Sequence, residues 1–166
     1  MPKKKKRVRT NAMRLLDAND IAYEVLPFSP DFHSATEVAG ILGLPPGEVY
    51  KTLVVQRPRG KPLLVMVASG EHVDLKALAA SVAEKRLRMA TQRDAEALTG
   101  LQVGGISALA LLNRGFEICI DRAARDLDSV TVSAGKRGID LRLRVSDLVR
   151  VTGARWVDAT RLPQES

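Results

Sequence analysis

Three short segments of this 166-residue chain combine residue types that could act on an electrophilic carbonyl. Lys51 opens the apolar run Val49-Tyr50-Lys51-Thr52-Leu53-Val54-Val55, directly after the turn Pro45-Pro46-Gly47. A lysine at the mouth of an apolar sheet can turn its ammonium into a pocket and stabilise negative charge developing there. The plainer alternative is a strand-end lysine whose head reaches water. Gly104-Gly105-Ile106-Ser107 is the second segment. Paired glycines let the backbone approach a ligand and aim N–H groups at an oxyanion, or they simply form a loop between helix and strand. In the third, Ser133-Ala134-Gly135-Lys136-Arg137-Gly138, a serine and two cations flank a tight turn that could equally be a plain hairpin.

Other chemistries find little support. The chain carries no P-loop, HExxH, CxxC or Gly-x-Ser-x-Gly pattern. His33 and His72 are too few and too scattered for a metal site and read as loop or surface histidines. Cys119, the only cysteine, lies in the apolar run Phe116-Glu-Ile-Cys-Ile120 and reads as a small core hydrophobe. Neither a metal nor a cofactor is expected.

The elements that must position these segments follow from local signals. Thr10 can cap a helix ending near Asn19, and Ile21 to Phe28 reads as a strand stopped by Pro27 and Pro30. Ser34-Ala-Thr-Glu37 is a capping box for a helix that stops at Gly43. The Lys51 strand and Pro62 to Ala68 form a hairpin around Arg57-Pro58-Arg59-Gly60. Asp74 and Thr91 cap two further helices, the second ending at Gly100. Phe116 to Ile120 is a strand, and Val130 to Val132 pairs with Ile139 to Val145 across the Gly-rich turn. Leu141, Leu143 and Val145 alternate with Asp140, Arg142 and Arg144, which predicts one wet face. Ser146 caps a last helix, and Arg155 to Val157 adds a final strand. Strands that occur singly and in hairpins between short helices predict a mixed α/β (α+β) domain rather than a doubly wound sheet.

The length predicts one compact domain over residues 10–161, with a polar tail at 162–166. Neither a membrane-spanning run nor the apolar stretch of a secretory signal is present, so a reducing cytoplasm is the expected compartment and no membrane partner is expected. The net charge of +7 is unevenly placed. Lys3, Lys4, Lys5, Lys6, Arg7 and Arg9 carry six positive charges with no acid among them, whereas the chain from Thr10 onward sums to +1. Residues 1–9 therefore read as a disordered basic arm: a phosphate-seeking tether, a nuclear-localisation look-alike or a solubilising tail.

Taken in order, the segments 49–55, 103–107 and 132–140 closely resemble the signature of the YbaK/EbsC family, which also occurs as the editing domain of bacterial prolyl-tRNA synthetases. Thr10-Asn-Ala-Met-Arg-Leu-Leu and Leu42-Gly43-Leu44 fit as well, so the resemblance covers nearly all of residues 10–161. It implies a compact fold around a mixed, barrel-like β-sheet, with the amino acid and the tRNA 3′ end in a cleft. It assigns catalysis to Lys51, Gly104 and Gly105, and substrate contacts to Phe28, Thr52, Ser107, Ser133, Gly135, Lys136 and Asp140. The implied activity is trans-editing, the removal of a mischarged amino acid, cysteine from Cys-tRNA(Pro) first. In the cysteine-specific members the substrate's own thiol is thought to attack the carbonyl. Ala-tRNA(Pro) or another small amino acid is the alternative substrate, and a non-catalytic tRNA- or synthetase-binding module the alternative class. A near-neutral body implies weak tRNA affinity of its own and help from a prolyl-tRNA synthetase partner.

Three departures bear on specificity. Ala108 stands where the family usually has proline, which predicts a less rigid loop. Ala134 replaces the first glycine of the hairpin turn. Residues 29–33 make a short segment after Phe28, which lacks a phenolic hydroxyl.

Overall fold

The computed structural model describes residues 8–31 and 34–160. The basic arm before Val8, His33 and the tail 162–166 lie outside the described residues. Arg9, at the end of the arm, pairs with Asp17.

Among the described residues eight strands form two sheets. The smaller is antiparallel, in the order β1 (Glu24–Pro27), β7 (Ile139–Arg144) and β6 (Ser129–Lys136). The larger runs β4 (Arg88–Met89), β2 (Tyr50–Gln56), β3 (Leu63–Ala68), β5 (Glu117–Asp121), β8 (Arg155–Val157). It is mixed: β2 is antiparallel to β3 and β4, while β3–β5 and β5–β8 are parallel. The domain is α+β, but its sheet is not a closed barrel. A parallel bridge between Val49 and Thr131 links the two sheets instead.

β3 is buried along its whole length because both faces of the larger sheet are covered. Leu63, Val65 and Val67 pack with Leu78 and Val82 of the helix α3 (Leu75–Val82). Leu64, Met66 and Ala68 join Leu16, Leu141, Leu143 and Leu148 on the other side. Period-2 alternation sends neighbouring residues to these two layers. Cys119 lies fully inside the first layer, where burial pushes its thiol up to about 12.

Four of the five described helices begin at a side-chain oxygen that takes up a first-turn N–H. Thr10 accepts from Met13 before α1 (Asn11–Ala18), and Ser34 from Glu37 before α2 (Ala35–Leu42). Asp74 accepts from Lys76 and Ala77 before α3, and Thr91 from Asp94 before α4 (Gln92–Thr99). The fifth, α5 (Val145–Thr152), departs from the expected Ser146 cap. It starts two residues earlier, with Arg144 at the cap position and no side-chain cap, because β7 leads straight into it and the Val145 N–H donates to the Asp128 carbonyl.

Two strands also differ from expectation. β1 covers only Glu24–Pro27, since β7 offers partners to those four residues alone. β7 is the middle strand of its sheet, with Asp140 opposite Leu26 on one side and Ser133 on the other. Asp140 is therefore buried rather than on a wet face.

Candidate functional site

A cavity of about 380 Å³ opens along the stretch of β2 that β4 does not reach. Tyr50 to Val54 form one wall, and Phe28, the start of α2, Gly104 and the β6–β7 hairpin form the others. Lys51 is half-buried there, and its Nζ donates to the Ser69 carbonyl at 3.1 Å. Ser69 is itself fixed: its hydroxyl donates to the Pro46 carbonyl at 2.8 Å and its N–H to the Val49 carbonyl. Burial lowers the Lys51 pKa, with Glu71 acting in the opposite sense. Neighbouring Tyr50 is pushed up to about 12 by burial first, then by Asp121 and Glu71, so its phenol stays protonated.

The glycine loop and the hairpin turn, distant in sequence, meet backbone to backbone. A Cβ on Gly105 would lie 2.8 Å from the Arg137 nitrogen and 3.0 Å from the Lys136 carbonyl carbon, so only glycine fits without moving one chain. Gly135 has φ +98° and would place a Cβ 2.9 Å from that of Ala110. The strand register slips between Ser133 and Lys136, a bulge of the kind that re-aims side chains. Beyond it Lys136 is exposed, while Arg137 turns into the cavity wall.

Of the residues singled out from the sequence, the structure brings Phe28, Lys51, Thr52, Gly104, Ser133 and Asp140 to one cavity. Gly105 stands behind Gly104, and its N–H donates to the Gln102 carbonyl at 2.8 Å, closing the loop's own turn. Ser107 is buried, and its hydroxyl accepts from the Ala110 N–H. Gly135 and Lys136 shape the turn without lining the cavity. Ala108 is buried between Ile106 and Leu109 in the main core, so burial holds the loop that a proline would otherwise stiffen. Tyr50, Ser69 and Arg137 also line the cavity, although the sequence reading gave none of them a site role. Arg137 could have been suspected from its place beside Gly138; nothing local marks Ser69.

Asp140 is the buried acid of the site. Desolvation raises its carboxyl to about 7, so it can carry a proton near neutral pH. A cation, a protonated phenol and a proton-bearing carboxyl thus border one small space, which suits a reaction that builds negative charge on a carbonyl oxygen. Among the described residues no group of three or more His, Cys, Asp or Glu side chains is placed to hold a metal. None of the described helices is long and apolar enough to cross a membrane.

A family model, the aminoacyl-tRNA editing domain, matches residues 29–151. The chain belongs to that family. All but one of the cavity residues singled out from the sequence fall inside the matched range; Phe28 lies just before it. A curated relative from Enterococcus faecalis, the "Putative Cys-tRNA(Pro)/Cys-tRNA(Cys) deacylase EbsC", is 32% identical over 96% of this chain and 98% of its own. Two solved structures share the editing-domain fold. Hypothetical protein APE2540 superposes with a TM-score of 0.83 at 24% identity, over 91% of this chain and 99% of that one. A "putative trans-editing enzyme for prolyl tRNA synthetase" superposes with a TM-score of 0.77 at 23% identity, over 93% and 99%.

Proposed function

We propose that this chain is a trans-editing deacylase that releases cysteine from Cys-tRNA(Pro). The observation that carries the reading is the meeting of Lys51, Gly104, Ser133 and Asp140 around one cavity of about 380 Å³ in a member of the editing-domain family. The Enterococcus relative's name supplies the substrate. A cavity of that size takes one amino acid and the ribose that carries it, not a whole acceptor stem.

Each group has a role in this reading. The Lys51 ammonium, anchored by the Ser69 carbonyl, offers a fixed positive charge to the carbonyl oxygen of the ester. Gly104, with φ +94°, carries backbone against the same space. The Gly105 amide is committed to Gln102, so Gly105 acts by admitting the hairpin turn rather than by donating. Ser133 and Asp140, opposite each other across β6 and β7, contact the terminal ribose or the amino group. Phe28, held by its N–H to the Gly138 carbonyl, closes the side-chain end.

The chemistry we assign is intramolecular. The cysteine thiol, giving up its proton, attacks its own ester carbonyl; the C–O bond to the ribose breaks, and the ribose oxygen takes a proton. The products are a thiolactone and free tRNA, and water later opens the ring. Holding the thiol against the carbonyl in a tight site supplies much of the rate. The compartment in this reading is the cytoplasm, and prolyl-tRNA synthetase is the protein that would hand over the mischarged tRNA.

Deacylation of cysteinyl-tRNA(Pro) with the thiol free and with the thiol S-methylated tests this. Cleavage of the free-thiol ester alone is expected. Equal cleavage of both would replace cyclisation with hydrolysis by water, and cleavage of neither would overturn the reading.

A further inference from the structure

A second, larger hollow of about 770 Å³ lies on the far side of β4 and contains none of the motif residues. Five cations line it, Arg57, Lys76, Lys85, Arg86 and Arg88, and among the described residues that line it none is acidic. Arg57 is committed to Glu117 at 2.7 Å, with Glu84 at 4.0 Å. The other four are exposed. Lys76 comes from α3, and Lys85, Arg86 and Arg88 from the segment that leads into β4, so positive charge reaches the hollow from two separate elements. The body's near-zero net charge conceals this, because it averages these cations with acids that do not line the hollow.

The hollow and the catalytic cavity share walls. In β4, Arg88 faces the hollow and Met89 the cavity. In β2, Tyr50 to Val54 border the cavity and Gln56 the hollow. In α4, Gln92 and Ala95 border the cavity and Leu98 the hollow. Lys51 and Gln56 are five residues apart along β2, about 16 Å at the usual rise of an extended strand. A polyanion whose end lies in the cavity meets the hollow within that distance.

We infer that the hollow between α3 and β4 is a docking groove for the phosphate backbone of the tRNA whose 3′ end enters the cavity. This rests on the editing reading for what fills the cavity. The occupant is nucleic acid rather than an acidic protein because the groove is bordered by the same β2, β4 and α4 that border the site receiving the nucleotide end. Exposed lysines and arginines on two walls suit a strand of regularly spaced phosphates. Such contacts add affinity and register without reading sequence.

The test is the triple variant Lys76→Glu, Lys85→Glu, Arg86→Glu, beside its charge-neutral Gln counterpart in case reversal impairs folding. Four readouts are taken: binding of uncharged tRNA(Pro) transcript over a salt series, binding to prolyl-tRNA synthetase, deacylation of cysteinyl-tRNA(Pro), and deacylation of 3′-O-cysteinyl-adenosine, which has the ester and ribose but no phosphate. Expected are a tenfold or greater rise in KM for the tRNA substrate, unchanged turnover of the small ester, and a shallower salt slope. The slope should fall by about 0.7–0.9 for each phosphate that the variant no longer neutralises. Unchanged transcript binding and salt slope overturn the groove, and so does a loss of binding to prolyl-tRNA synthetase with tRNA affinity intact. If the wild type cleaves neither ester while the variants still lose transcript binding, the groove stands and the deacylase reading falls.

Discussion

The two hollows on either side of β4 are built from opposite materials. The smaller holds a half-buried lysine, a buried carboxyl and a buried phenol, each with its protonation moved by desolvation. The larger, at about 770 Å³, is ringed by exposed lysines and arginines on long, solvated stems. Desolvated charge is expensive and strongly directed, so it belongs where one bond is broken. Solvated charge acts at longer range and is screened by salt, so it belongs where a polyanion is gathered. Size alone would have pointed to the wrong hollow for the chemistry.

If this division is right, variants of the two regions should fail in different ways. The largest effect is expected of Lys51→Ala. Loss of the fixed cation should reduce kcat/KM for cysteinyl-tRNA(Pro) by about 10²–10³, as for loss of one oxyanion donor. Affinity for uncharged tRNA(Pro) should not change. Matched losses of binding and turnover would erase the distinction between the hollows.

Asp140→Asn should act on stability, with a pH signature. The folded-state carboxyl sits near 7, above its ordinary value of 3.8. Below about pH 4 the folded and unfolded chains are both protonated. As the pH rises toward 7 only the unfolded chain loses its proton, so stability falls and levels off above about 7. The cost is on the order of 4 kcal/mol, and Asn, neutral throughout, should flatten the curve. Urea titrations of both proteins at pH 5 and pH 8 measure it, and parallel curves would refute the assignment of a buried, proton-bearing Asp140.

Gly105→Ala forces a methyl against the Lys136–Arg137 backbone and should cost about 1–3 kcal/mol. Deacylation should drop while transcript binding holds, because the strain falls on the cavity wall alone. The smallest effect is expected of Thr91→Ala. It removes the cap of α4, the helix that borders both hollows, and should cost about 1 kcal/mol. Thermal unfolding reads this change, and binding and turnover should weaken together if at all.

Much of the fold was legible because its signals are local. Thr10, Ser34, Asp74 and Thr91 each mark a helix start by a bond made within three residues. β4 was not legible: two residues long, it exists only because Val55 and Gln56 offer it partners. The division into two sheets, and with it the burial of Asp140, depends on β1 crossing to β7, more than a hundred residues away in sequence. The site shows the same split. Lys51, Gly104 and Ser133 sit in contiguous motifs and could be named from them. Arg137 enters the cavity through a bulge whose geometry only the folded hairpin sets. The basic groove joins the short run Lys85, Arg86 and Arg88 to Arg57 and Lys76 from other elements, and only the fold shows that these stretches meet.

The most direct measurement is single-turnover deacylation of cysteinyl-tRNA(Pro) beside alanyl-tRNA(Pro) by the wild-type chain, against buffer alone. The account predicts release of cysteine far faster than in buffer, with alanine released much more slowly. Neither ester cleaved faster than in buffer would contradict it.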